Sequence, residues 1–132
     1  TGKPVPTNTN TTDIDKLKEE KKEKARVVLC RMFEVEDMDI VFMKSRKRNK
    51  VDARKFYNYY LWKCLKVNHN KMKNHIYGMH HATSIHFKNK LEFEIEHYHE
   101  IHQEWTDFLF FTDHDEWNKL EHIREAKSKY II

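Results

Sequence analysis

Histidine is the residue type through which this sequence is best placed to do chemistry. The stretch HIYGMHHATSIHFKNKL, residues 75–91, sets His75, His80, His81 and His86 around Gly78, the one glycine after Gly2. Imidazoles in such a group can ligate a metal or meet the polar edges of another molecule. Spacing argues against the metal. His81 and His86 are five apart, which on a helix places them about 140° from each other. In EHYHEIHQEW, residues 96–105, His97-Tyr98-His99 spells the histidine–hydrophobic–histidine pattern of some nucleases and transposases. That pattern needs a strand, where alternate residues share a face. Helix formers surround it here, and residues two apart on a helix diverge by about 200°. HEIH falls one residue short of the zinc-binding HExxH. No metal and no cofactor are therefore expected. A single interior glycine also cannot supply a Walker A phosphate loop. A nuclease built on the histidine-rich segment is the weakest reading, and the chain is expected not to be an enzyme.

Contact with another molecule is the stronger reading. A lone glycine between two helical patterns is the expected residue where a helix must end in the left-handed region. A short helix, a turn at Gly78 and a longer helix make a helix-turn-helix candidate. The first residues of its second helix are His80, His81, Ala82, Thr83 and Ser84. They offer imidazoles and hydroxyls to base edges and phosphates, and a methyl group to thymine. Upstream, KSRKRNK supplies Lys44, Arg46, Lys47, Arg48 and Lys50, while Lys71, Lys73, Lys88 and Lys90 flank the turn. Net charge is only +4, so the placement of these cations matters more than their sum.

The elements that must position these residues are helical. In 132 residues there is room for one compact domain, and 35% of them are charged. Both prolines lie in the first six residues, so the body lacks the turn punctuation of a sheet protein. Residues 1–13 read as a polar, disordered arm. Asp13 or Asp15 is a suitable start for a helix whose apolar stripe is Ala25, Val28, Leu29 and Met32 or Phe33. A short helix around Met38 to Met43 precedes the basic loop. VDARKFYNYYLWKCLK then places Phe56 or Tyr57, Tyr60, Leu61, Cys64 and Leu65 on one side, with Arg54, Lys55 and Lys63 elsewhere. Phe87, Leu91, Ile95, Tyr98, His102 and Trp105 read as one face of a continuous helix. A last helix is expected in DHDEWNKLEHIREAKSKYII. The aromatic residues follow helical spacing and belong to the core by default. Cys30 and Cys64, both within apolar helical patterns, read as reduced core thiols. No apolar run is long enough to span a membrane.

GMHHATSIHFKNKL resembles the signature of the C-terminal DNA-binding domain of the bacterial replication initiator DnaA, approximately G-R-D-H-S/T-T-V-L/I-H-A-x-x-K-I/L. Gly78, His81, Thr83, Ile85, His86, Lys90 and Leu91 match in register. Upstream, VEDMDIVFMKSRKRNKVDARKFYNYYLWKCL is similar to that domain's earlier part, with a basic S-x-x-R loop at Ser45 to Arg48. HEIHQEWTDFL resembles the continuation of the signature helix. The likeness covers about residues 25–109.

The resemblance implies an all-α, helix-turn-helix domain at residues 14–109, followed by an added helical extension at 110–132. It implies binding of double-stranded DNA, as at a replication origin, in the cytoplasm of a bacterium or a phage-infected cell. The family's pattern assigns Arg48 to the minor groove, His80, His81 and Ala82 to bases in the major groove, and Thr83 to a phosphate. It also places His86 near the interior. With the basic flanks, the expected DNA-binding set is Arg46, Lys47, Arg48, Lys50, Lys71, Lys73, His80, His81, Ala82, Thr83 and Lys88. Met79-His80 stands where the family has Arg-Asp, and Ala82 replaces its first Thr. The base preference should differ accordingly, since a His offers a donor where an Asp accepts. The alternative is a structural or interaction protein, for example of a phage particle. In that reading the fold persists without DNA, and EWTDFLFFTDHDEW docks a protein partner.

Overall fold

The computed structural model describes residues 5–113, with side chains from residue 14 to residue 112. The helix expected beyond Asp113 lies outside the described residues. Within them the fold is all-α: α1 (Val5–Phe33), α2 (Asp37–Val41), α3 (Arg48–Lys63), a 3-10 helix (His69–Asn74), α4 (His81–His97) and α5 (His99–Asp113). α1 begins at Val5, upstream of the Asp13 or Asp15 start the sequence suggests. Its stripe packs as expected, with Ala25, Val28 and Leu29 buried. No helix among the described residues is long and apolar enough to cross a membrane.

α3 is the axis of the molecule. Nine consecutive residues, Ala53 to Leu61, are buried, so this helix is covered all round rather than along one stripe. α1, α2, α4 and the 3-10 helix all pack on it. Its aromatic rings meet those of α5: Phe56 lies 5.7 Å from Trp105, and Tyr60 lies 5.3 Å edge-on from Phe108. Full burial of a side chain such as Phe56 or Leu61 stabilises the fold by about 1.5–3 kcal/mol.

Complete coverage corrects the expectation that Arg54 and Lys55 face outward. Arg54 is 2% exposed, and its Nε and Nη2 donate to the carbonyls of Asp39 and Ser45 at 2.7 and 2.6 Å. Lys55 Nζ donates to Glu94 Oε1 at 2.7 Å. Both cations are buried only because they are hydrogen-bonded there. Neither Cys30 nor Cys64 is in a disulfide, but Cys64 is exposed at the C-cap of α3, where the helix leaves the core.

The single long helix through Tyr98 is also corrected. Tyr98 leaves the helical region (φ −117°, ψ 114°), is exposed, and separates α4 from α5. The two helices then pack on each other, which one straight helix cannot do. The break turns Trp105, Phe108 and Phe111 into the core. Periodicity alone cannot see it, because the apolar spacing continues across it.

With so few glycines, two helix ends are closed by residues that dislike the left-handed region. Glu34 follows α1 at φ 56° and Lys66 follows α3 at φ 59°. Val35 N–H closes onto the Cys30 carbonyl at 3.1 Å, and Val67 N–H onto the Leu61 carbonyl at 2.9 Å. Glycine is the favoured residue at such positions. Glu34, exposed, is expected to gain about 0.5–1 kcal/mol of stability on Glu34→Gly. Chemical denaturation checks this, and a lower midpoint would contradict it.

Acids crowd Lys55. Burial first, then the charges of Asp52, Glu100 and Glu94, push the Glu104 carboxyl up to about 7. A carboxyl raised in the fold costs stability as pH rises from its ordinary value through the raised one. Glu104→Gln should therefore raise Tm at pH 8 and leave it unchanged near pH 4.5. A gain of equal size at both pH values would contradict this account.

Candidate nucleic-acid interface

The turn before α4 is pinned to the connection between α2 and α3. Met43 N–H donates to the Tyr77 carbonyl at 2.9 Å, and Tyr77 N–H to the Val41 carbonyl at 2.6 Å. These bonds form an isolated parallel bridge between Phe42 and Tyr77, whose rings stack at 5.2 Å. Gly78 follows with φ +88°, and a Cβ there would stand 3.2 Å from the Met43 Cβ. The glycine thus serves both a left-handed backbone and a close approach. Because the bridge is parallel, the basic loop after Met43 and the start of α4 after Gly78 leave it from the same end.

The loop is held from beneath by the Arg54 bond to the Ser45 carbonyl, while Lys47 N–H donates to Ser45 Oγ at 3.2 Å. Arg46 and Lys47 are exposed. The Arg48 side chain is 91% exposed and its Nε forms a loose surface ion pair with Asp52 at 3.6 Å. Lys50 differs: it pairs with Asp39 at 3.1 Å and is half-buried. Asp39 also accepts from Glu36 N–H, and that bond together with Lys50 holds its carboxyl below the usual range.

At the start of α4, His80 is the N-cap, its Nδ1 accepting from Ala82 N–H at 3.2 Å. The His81 ring lies 4.6 Å from it. His80, His81 and Ala82 are exposed and Thr83 is half-buried. Ser84 does not join them. It is fully buried, donating through Oγ to Asn58 Oδ1 at 2.7 Å, while Asn58 Nδ2 donates to the Ser84 carbonyl at 3.1 Å. His69 Nδ1 lies 2.7 Å from the same Oγ, and that hydroxyl proton is already committed to Asn58, so His69 is the donor. Burial first, then the charges of Lys88 and His81, hold the His69 imidazole below its ordinary range. This network ties α4 to α3 and to the 3-10 helix. The signal for it was an asparagine in the aromatic run KFYNYYLW, which a buried helix must satisfy.

The remaining expected residues scatter. Lys88 reaches Glu92 at 3.2 Å and lies 4.9 Å from the Trp62 ring. Lys73 is exposed on the 3-10 helix, and Lys71 lines a cleft beside α1. His86 is exposed rather than interior, since Phe87 and Leu91 take the buried face of α4. His97 and His99 flank the Tyr98 break, so they belong to two helices rather than to the one continuous helix expected. Among the described residues no three His, Cys, Asp or Glu side chains gather as a metal would need. Of the expected docking surface, residues 104–117, the part up to residue 112 is largely turned inward, with Trp105, Asp107, Phe108, Phe111 and Thr112 buried, and residues 114–117 lie outside the described residues.

Comparison with protein-family models, with curated proteins and with solved structures finds no match to this chain.

Gly78→Ala meets both strain and a close contact. It is expected to cost about 1–3 kcal/mol of stability, read by denaturation. An unchanged midpoint would show that the pinned turn does not require glycine.

Proposed function

We propose that this chain binds double-stranded DNA without catalysis, in the manner of the C-terminal domain of the DnaA replication initiators that its Gly78 to Leu91 stretch resembles. The observation that carries the reading is the parallel bridge between Phe42 and Tyr77, which gives the basic loop and the start of α4 a common origin. In this reading Gly78 is the turn of a helix-turn-helix, formed by the 3-10 helix and α4. Arg48 enters the minor groove, with Arg46 and Lys47 on the flanking phosphates. His80, His81 and Ala82 meet bases in the adjacent major groove, and Thr83 meets a phosphate. Lys50 contributes through the loop's shape rather than through direct contact, because Asp39 already holds it. The role belongs to replication or its regulation in a bacterium or a phage-infected cell.

A second reading, a protein-interaction module, is favoured by the exposed rings of Phe93 and Tyr98 at the α4–α5 break, 52% and 54% exposed.

A duplex-binding assay at two salt concentrations separates them. Each phosphate contact contributes roughly −0.9 to the slope of log affinity against log salt. Arg48→Ala should weaken binding by about 1–3 kcal/mol, while His81→Ala should change the preferred sequence. Absent or salt-insensitive binding, with both variants matching the parent chain, would leave the interaction module as the better reading.

A further inference from the structure

A second basic surface lies beside the first half of α1, and of its cations only Lys71 belongs to the expected DNA-binding set. A cleft of about 380 Å³ opens between α1 and the segment joining α3 to the 3-10 helix. Lys18 and Lys22 line it from α1, and Lys66 and Lys71 from the opposite wall, with His75 also on its surface. Two acids, Asp15 and Glu19, share the cleft. Glu19 is spent on Lys22, and the Lys22 ammonium also donates to His75 Nδ1 at 3.2 Å. Among the described residues no carboxylate stands within ion-pair distance of Lys18, Lys66 or Lys71.

Lys66 supplies a second, independent observation. It occupies the left-handed position that ends α3, where glycine is favoured and a lysine is strained. The backbone bond from Val67 N–H to the Leu61 carbonyl needs that conformation but does not need a side chain. The chain therefore keeps at the rim of this cleft a cation that no carboxylate among the described residues pairs, at some cost in stability. A neighbouring cleft of about 310 Å³ shares Lys66, Val67 and Asn68 and adds Lys63 and the Trp62 indole.

We propose that the cleft between α1 and the α3-to-3-10 connection binds a ligand carrying closely spaced phosphates, held by Lys18, Lys66 and Lys71. Ammonium groups bind phosphate as point charges and need no fixed geometry. The phosphates can belong to a small free oligophosphate or to a nucleic-acid backbone, and the site does not depend on the duplex-binding reading above.

His75 reports on occupancy. Burial first and then Lys22 hold its imidazole below the ordinary range; Glu19 acts in the opposite sense and Arg26 in the same sense as Lys22. An anion bound beside it favours the imidazolium, so its titration moves to higher pH. The test is an NMR titration of His75 in the whole chain, with inorganic tripolyphosphate and separately with duplex DNA, repeated on Lys66→Gly. That variant relieves the strain, so its Tm should equal or exceed the parent's. Tripolyphosphate raising the His75 midpoint, with about tenfold weaker binding in Lys66→Gly, supports a free oligophosphate. The same pair of effects with duplex DNA alone supports a backbone source. If neither ligand moves His75, or if Lys66→Gly binds both as well as the parent, the proposal is wrong.

Discussion

A helix buried all round must satisfy every polar side chain it carries, and α3 carries Arg54, Lys55 and Asn58 inside the molecule. An unpaired charge or amide there would cost several kcal/mol. Each of the three resolves that demand by reaching a different segment. Arg54 takes the carbonyls of Asp39 and Ser45 and so holds the basic loop. Asn58 takes Ser84 and so holds the first turn of α4. Lys55 takes Glu94 toward the other end of that helix. The desolvation of one helix thereby fixes both candidate DNA-contacting segments relative to a common frame.

The pin between Phe42 and Tyr77 completes that frame. It joins the loop and the turn directly, and Gly78 lets the two backbones approach. Division of labour among the basic residues follows. Cations turned toward the frame, Arg54 and Lys50, are paired and shape the loop. Arg46, Lys47 and Arg48 are exposed, Arg48 with only a loose ion pair to Asp52 at 3.6 Å. Net charge conveys none of this, because the useful quantity is how firmly the fold holds each cation.

Much of the fold was legible in the sequence. The stripe of Ala25, Val28 and Leu29, the aromatic helix around Phe56 to Leu61, and the turn at Gly78 all follow from spacing and residue type. What spacing did not reveal has a physical cause in each case. Arg54 and Lys55 look like surface residues because charge usually marks solvent, whereas here local carbonyls and Glu94 substitute for water. Tyr98 looks like another step of an apolar stripe, yet its exposed ring sits where α4 must fold back. Ser84 looks like a contact residue because it follows Thr83, but one further step around the helix carries it to the core. Of the expected contact residues, Arg46, Lys47, Arg48, Lys71, Lys73, His80, His81 and Ala82 are exposed, while Arg48, Lys50 and Lys88 have acidic partners, Arg48 only at its exposed surface.

The central claim is that the loop and the start of α4 act as one surface on a duplex. Its most direct test follows every backbone amide by NMR while duplex DNA is added. The account predicts that the amides of residues 46–48 and 80–83 shift together, with one common saturation point. Shifts confined to only one of these segments, or centred on residues 93–98 instead, would contradict it.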